Sequence, residues 1–469
     1  MERLFIYFHY DRQGVIDTPC RLAVQAMQRY GEVLFVTNGT VETPDRTWVE
    51  ESGVVLLERE NTGFDVGAYR QALLTRGREE ISRYDEVVLM NYTLAGPVCD
   101  LAPMFAAMET RQDLDFWGLT RHYAIRSRRF GGHVPEHLQS HFLALRSRLL
   151  RSDAFWRYWL EMELPTSYEE SVIRHETRFT SHFASLGFRW DSFVDTGELA
   201  EIFVNPIMAC PRELVANRGC PFFKRRSFFT PFGDELRRTD GTAARELYDY
   251  LKGCTDYPVE EVVRALLRDQ PLSELARNLH WRYGLSADIA VSPSLEGTGL
   301  RLLRWTPFLG DPVTRWYCHQ EAEAAQMVLH QAIQLFAKEP LLGVLCPALP
   351  LWPRALQDVR RQWNTDRDWV QQKTRLPIND DPPPAPHAGW VLVRTAAFAQ
   401  GVPEIRQARD VWLLPLLAQK SGYATAVLER EAQRAAAADV LALYMQAAEE
   451  PATLAKQLGR LAKHRLKRR

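Results

Sequence analysis

The sequence predicts an α/β protein with a larger domain over residues 1–235, a helical connector over 236–285 and a smaller, abbreviated α/β domain over 286–445. Three observations carry this. Over the first 235 residues, short apolar runs alternate with segments of helical spacing, the pattern of a mostly parallel sheet covered by helices. The 469 residues are 46% hydrophobic and 25% charged, which supplies apolar material for two cores and excludes a disordered or fibrous chain. The seven cysteines stand far apart, odd in number and without a CxxC pair, so neither a disulfide framework nor a zinc knuckle is expected.

Taken in order, Leu4–Phe8 is an apolar run of strand length. Ile16–Tyr30 places Leu22, Val24, Ala26 and Met27 at helical spacing. Val33–Thr37 is a second strand, closed by the turn signal Asn38-Gly39. Val54–Leu57 is a third, followed by a glycine-containing turn and a helix over Gly67–Leu74. Glu86–Met90 is a fourth and stops at Asn91. The loops after Phe8, Val36, Leu57 and Met90 are expected to meet at the carboxyl edge of the sheet, where such folds bind ligands. From Thr242 to Leu285 the pattern is helical. Beyond it come a helix over Glu321–Ala337, a strand over Leu341–Cys346, a rigid proline loop over Asp380–Pro386, a strand over Trp390–Arg394 and a helix over Ala432–Ala448.

With 58 Lys+Arg against 59 Asp+Glu, bulk charge excludes a general polyanion binder. From Lys456 onward, however, there are seven basic residues and no acidic one, and Leu454, Leu458, Leu461 and Leu466 fall near one helical face. Residues 446–469 are therefore expected to form a basic amphipathic tail on an anionic membrane surface. The tail has no aromatic residue for base stacking, which argues against nucleic acid. The first apolar run has only five residues, and no stretch approaches 18 uncharged apolar residues. The expected location is cytoplasmic, peripheral on the inner face of the cell membrane.

Three stretches carry residues capable of chemistry. Glu60–Tyr69 follows a strand and opens a helix. Its glycines permit close backbone approach, the helix start offers free N–H groups, and Asn61 and Asp65 add short polar side chains. It reads equally as a tight turn with Asp65 as helix cap. In Leu89–Pro97, Asn91 and Thr93 offer oxygens, but one Asn without an acidic neighbour is a poor ligand for a hard divalent cation. In His175–Phe183, Glu176 sits near a helix start, flanked by His175 and Arg178, which would tune its pKa. The plain alternative is a solvated carboxylate.

The segments NTGFDVGAY, LMNYTLAGPV, DFWGLT, HLQSHFLALR, GFRWDSFVDT and CPFFKRRSFF follow one another here as in the rhamnan synthesis F family, which the chain resembles over residues 1–235 and on through Ala244–Glu260. These are bacterial glycosyltransferase-like proteins of polysaccharide assembly. The resemblance implies a GT-A-like (Rossmann-like) fold and an inverting transferase that moves a deoxyhexose, L-rhamnose from dTDP-L-rhamnose, onto a lipid-linked or polymeric glycan such as a surface polysaccharide or O-antigen. It implies that His9, Tyr10, Asp11, Thr37 and Asn38 hold base and ribose, and that Asn61, Gly63, Asp65 and Asn91 line the nucleotide-sugar pocket. Lys224 and Arg225 would neutralise the pyrophosphate. Asp115, His137 and Gln139 would lie on the acceptor side. Asp65 and Glu176 would be catalytic, with Glu176 as general base. Tyr92 stands where the family has an Asp, so Mg2+ or Mn2+ would be weakly required, held by Asp65 or Asp195, or replaced by Lys224 and Arg225. The alternative reading is a non-catalytic glycan-binding or scaffold member. A dehydrogenase is disfavoured because no GxGxxG follows the first strand.

Overall fold

The computed structural model describes residues 1–127, 132–285, 293–308, 311–350 and 353–429, with the isolated positions 434 and 437. Apart from those two positions, the helix expected over Ala432–Ala448 and the tail over 446–469 lie outside the described residues. The chain forms two compact units, Met1–Ala265 and Leu266–Arg469.

The first unit is built on a sheet of β1 (Arg3–His9), β2 (Glu32–Asn38), β3 (Val55–Arg59), β4 (Glu86–Asn91), β5 (Phe116–Gly118), β6 (Phe142–Arg146) and β7 (Trp190–Ser192), in the spatial order β7-β5-β6-β4-β1-β2-β3. Among these strands only β6 runs against its neighbours. This is the α/β, GT-A-like sheet that was expected. Alternate residues of β1 serve two cores, as a strand's period of two requires. Phe5 and Tyr7 pack with Phe35 and Met90 beneath α1 (Thr18–Gln28), while Leu4 and Ile6 pack with Val36 and Leu89 on the opposite face. A sheet covered on both faces must be apolar at consecutive positions, which is why β1, β2 and β4 are legible as unbroken runs. α2 (Thr43–Ser52) is not legible, because it buries only Asp45 and Val49. α3 (Phe64–Ile81) starts after Gly63, whose φ of 71° suits glycine. A Cβ there would also come within 2.9 Å of a Leu164 methyl.

The chain lays β2 and β3 on one side of β1 and then crosses to place β4 on the other. Strand order reverses between β1 and β4, and the crevice expected of such a switch point lies beyond their carboxyl ends. Because β6 is reversed, its first residue, Phe142, pairs with Met90 near the end of β4, while Arg146 pairs with Glu86 at the start. The 137–141 loop therefore arrives at the crevice. Asp115, immediately before the parallel strand β5, lies at the opposite edge.

The boundary between the units falls inside the stretch expected to be a connector. α4 (Ala243–Cys254) belongs to the first unit, where Tyr248 packs against Phe228, and the Gly96 N–H donates to Tyr257 Oη at 3.1 Å. α5 (Val259–Asp269) spans the division. α6 (Leu272–Asn278) belongs to the second unit: Ser273 Oγ donates to Asn379 at 2.9 Å and Arg277 pairs with Asp381 at 2.7 Å.

The second unit carries a sheet of β8 (Arg282–Gly284), β9 (Leu300–Arg304), β10 (Leu342–Pro347), β11 (Trp390–Arg394) and β12 (Ala424–Glu429), in the order β8-β12-β10-β11-β9. Val344, Cys346, Val391 and Val393 form its core with Leu414 and Ala418. α7 (Pro312–Lys338) brackets the helix expected there, and α8 (Pro353–Thr374) is a further, mostly polar helix that buries Val359, Trp363 and Val370.

At the foot of β4, buried Glu86 accepts from Arg3 Nε at 2.8 Å, Trp117 Nε1 at 2.7 Å and Arg146 Nε at 3.3 Å. Removing one member of a buried ionic group strands the others without solvent. Glu86→Ala should therefore lower stability by about 3–5 kcal/mol, read as a shift in the urea unfolding midpoint of the first unit. A shift worth less than about 1 kcal/mol would show the guanidinium groups find water or other acceptors.

Candidate functional site

The crevice is organised around two carboxylates. Asp65, in the first turn of α3, accepts through Oδ1 from the Val66 N–H at 2.9 Å and through Oδ2 from Asn91 Nδ2 at 3.0 Å. Asn91 ends β4, and its Oδ1 accepts in turn from the Thr93 N–H at 3.2 Å. Ser140 Oγ lies 2.7 Å from Glu176 Oε2 and 3.5 Å from Asp65 Oδ2, so one hydroxyl bridges the carboxylates. The second Glu176 oxygen faces His137 Nε2 at 3.7 Å. Glu176 closes a π-helical turn, Val172–Glu176, that leads into a helix over Thr177–Ser185. Such turns admit an extra residue, re-aim the side chains around it and often occur at functional sites.

Lys224 arrives from a two-residue strand, Phe223–Lys224, antiparallel to Leu94–Ala95, and its Nζ donates to Thr93 Oγ1 at 3.3 Å. Burial pulls the Lys224 ammonium down to about 8, against the opposing influence of Glu176 and Asp65. Burial raises Asp65, and the neighbouring Glu176 raises it further. Burial works against the Glu176 charge as well, yet His137 and Lys224 hold that carboxyl at about 2. His141 is kept uncharged by burial and by Lys224.

A second cluster lies where β2 and β3 end. Asn38 Nδ2 donates to Asn61 Oδ1 at 3.0 Å, and Arg59 spans Asn38, the Thr62 carbonyl at 2.8 Å and Gln71 Oε1 at 3.0 Å. Beside it, His9 Nε2 lies 3.2 Å from the Val15 carbonyl, which can only accept, so this nitrogen carries the proton and Nδ1 accepts from Thr37 Oγ1 at 3.0 Å. His9 and Thr37 are buried and spent on each other. Asp11 Oδ1 accepts from the N–H groups of Gln13 and Val15, and Tyr10 packs against the apolar cluster that holds Phe8.

A family model described as rhamnan synthesis protein F matches residues 33–283, more than half of the chain. The chain belongs to the rhamnan synthesis protein F family. An uncharacterized protein y4gN from Sinorhizobium fredii is 26% identical over 199 residues, 42% of this chain and 49% of that one, so the chain spans about half the length of this relative. Among solved structures, a mannosyltransferase from Pyrobaculum calidifontis in complex with GDP-Man and Mn2+ is 13% identical, with 56% of this chain and 73% of that chain covered and a TM-score of 0.26. Mouse xyloside xylosyltransferase 1 is 7% identical, with 44% and 92% covered and a TM-score of 0.27. A cytidylyltransferase from Leptospira borgpetersenii is 14% identical, with 42% and 76% covered and a TM-score of 0.25. At these scores the fold is read from the strand order itself.

In this member of the family, several residues expected at the site are committed elsewhere. Arg225 makes a two-pronged ion pair with Asp17 at 2.6 and 2.8 Å, and Asp17 caps α1. Of these two adjacent cations, Lys224 is the one that acts electrostatically on the carboxylates. Asp115 accepts from Arg148 at 2.7 Å and from the Arg189 N–H at 2.8 Å, at the edge of the sheet opposite Asp65 and Glu176. Asp195 is exposed and accepts from the Gly197 N–H at 3.0 Å. Gln139 is buried, bonded to Thr120 at 2.8 Å and Asn205 at 3.3 Å. His175, expected to tune Glu176, instead contacts Tyr158 Oη at 3.3 Å and the Glu163 carbonyl at 3.3 Å. Its place is taken by His137.

No group of three or more His, Cys, Asp or Glu side chains that could hold a metal ion occurs among the described residues. Tyr92, at the position of the family's acidic residue, sets its ring edge-on to Phe8 and His9. Asp65 divides its oxygens among Val66, Asn91 and Ser140. The Asp65 oxygens are thus engaged by protein donors in this arrangement.

Ser140, Arg59 and Thr120 were not singled out in the sequence. Ser140 stands inside HLQSHFLALR, and only the reversal of β6 reveals that this loop meets the ends of the parallel strands.

Burial holds His9 at about 4, below the ordinary 6.5. Between those values the folded chain binds fewer protons than the unfolded one, so stability falls as pH drops from 6.5 towards 4, by up to about 3 kcal/mol. Denaturant titrations at several pH values should show this slope, and His9→Gln should flatten it. An unchanged slope in the variant would assign the effect to other groups.

Proposed function

We propose that the first unit is an inverting glycosyltransferase that moves a deoxyhexose, L-rhamnose from dTDP-L-rhamnose, onto a hydroxyl of a lipid-linked or polymeric surface glycan. The observation that carries this reading is the pair of carboxylates bridged by Ser140, with Lys224 beside them, at the point where strand order reverses. Family membership supports the polysaccharide setting.

In this reading Glu176 takes the proton of the acceptor hydroxyl while that oxygen attacks C1 of the sugar. The bond from C1 to the phosphate oxygen breaks on the opposite face, and its electron pair leaves with the diphosphate. Lys224 faces the charge that develops there. Asp65 and Asn91 hold sugar hydroxyls, while the Asn38–Asn61 turn and the end of β1 take the nucleoside. No step runs through a metal ion.

A second reading, a non-catalytic glycan-binding or scaffold member, is favoured by one observation. A carboxyl held at about 2 is a weak base at neutral pH. Nucleotide sugars separate the two, since a ligand that binds the folded state raises the thermal midpoint.

If Glu176 is the base, Glu176→Gln keeps that thermal shift but lowers transfer by roughly 10²–10⁴. Transfer near the wild-type rate removes Glu176 from the chemistry, and the absence of a shift with any nucleotide sugar favours the scaffold.

No helix of the described residues is long and apolar enough to cross a membrane. We assign membrane contact to the basic tail, whose cations are each worth about 1 kcal/mol near an anionic surface. Deleting residues 451–469 should abolish co-sedimentation with anionic vesicles and leave transfer to a soluble acceptor unchanged. Equal sedimentation of the shortened chain would exclude the tail as anchor.

A further inference from the structure

His137 lies on the loop that the reversed strand β6 brings into the crevice. Its Nδ1 is 2.7 Å from the carbonyl oxygen of Pro135. A carbonyl only accepts, so Nδ1 carries a proton. The other nitrogen, Nε2, is buried without a hydrogen bond of ordinary length, and the group in front of it is Glu176 Oε1 at 3.7 Å. The side chain is 2% exposed, and His122 stacks on the ring with centroids 5.0 Å apart and planes 18° from parallel. The ring can therefore neither turn to water nor exchange its two nitrogens without losing Pro135.

This arrangement has two states. With a proton on Nδ1 alone, His137 turns a lone pair toward a carboxylate oxygen, acceptor against acceptor. With a second proton on Nε2, the same geometry becomes a charge-assisted contact to Glu176. We propose that His137 is a positioning residue, which aims Glu176 and holds it charged through an Nε2–H, while the Pro135 carbonyl fixes which nitrogen faces the carboxylate. The other groups around Glu176 are Ser140 and His141 from the same loop, Asp65 and Tyr69 from α3, Lys224 from its short strand and His122 behind the imidazole. The depression of the Glu176 carboxyl by His137 and Lys224, against burial, agrees with this geometry. Glu176's role as base rests on the transferase reading above; its contact with His137 does not.

Two substitutions separate the ring's two contacts. In His137→Asn the amide nitrogen stands near Nδ1 and keeps the Pro135 bond, but nothing faces Glu176. In His137→Gln the longer side chain returns a donor near the place of Nε2. Carbon-13 NMR of the Glu176 carboxyl, assigned by its disappearance in Glu176→Gln, should show a midpoint raised by about one unit or more in His137→Asn and closer to wild type in His137→Gln. Transfer should follow the same order, because the loss of aim outweighs the gain in basicity: kcat down about tenfold in His137→Asn, the donor KM unchanged and partial rescue by glutamine. A purely structural role for the Pro135 bond gives the reverse order. An unmoved Glu176 midpoint in both variants overturns the proposal. Should His137→Asn not fold, nitrogen-15 NMR of the wild type decides: an Nε2 proton resonance that is lost in Glu176→Gln supports the contact, and its absence from the wild type refutes it. These spectra need no turnover, so a chain that transfers no sugar sinks the transferase reading and leaves this one standing or falling on its own result.

Discussion

Because β6 is hydrogen-bonded in reverse between β4 and β5, its beginning lies beside their ends, and everything that makes the crevice chemical depends on that pairing. Parallel strands alone would bring Asp65, Asn91 and the Asn38–Asn61 turn to one edge. They would leave His137, Ser140 and His141 at the other edge, beside Asp115. The reversed register places Phe142 against Met90, and the His141 carbonyl accepts from the Asn91 N–H at 3.2 Å. Ser140 is thus held next to the one strand end that already positions Asp65. Both faces of β1 and β4 are buried in close-packed cores, so a shift by one residue would exchange side chains between two cores of different shape.

The two adjacent cations illustrate how burial sorts charges. Arg225 has a planar fork that matches a carboxylate, and Asp17 fills it, so the pair survives desolvation and ties the chain after β7 to the cap of α1. Lys224 has no such partner. Its ammonium meets a threonine hydroxyl and the diffuse negative potential of two carboxylates, which leaves it partly uncompensated. A group in that position is available to an anion, whereas Arg225 would first have to abandon a buried aspartate.

Much of this was legible in the sequence, for identifiable reasons. β1, β2 and β4 are buried on both faces and so appear as apolar runs; Asn38 and Asn91 end β2 and β4, and Asn61 and Asp65 follow β3. Glu176 was already a candidate from its place near a helix start, while its role as base, and Lys224 altogether, came from the resemblance. What could not be read is what depends on contacts distant in the chain. Asp17 and Arg225 are 208 residues apart, and Ser140 and Glu176 are separated by 36. Sequence proximity made His175 the natural partner of Glu176. The π turn rotates the backbone there, so that His175 is directed to Tyr158 and Glu163 while Glu176 meets His137. Nor does a pattern of apolar spacing distinguish Asp115, which closes an ion pair at the back of the sheet, from a residue at the front.

The pair Asp65 and Glu176 also shows how one crevice can hold two carboxylates in different states. Both are penalised by burial, but Glu176 has a histidine and a lysine in front of it, and Asp65 has an amide, its own helix start and the charge of Glu176. Their affinities for protons are pushed apart, one raised and one lowered, which is the arrangement that assigns different tasks to chemically similar groups. The balance is not fixed by the protein alone. A negative charge placed against Lys224 would offset its positive charge and weaken its hold on Glu176, raising the affinity of that carboxylate for protons.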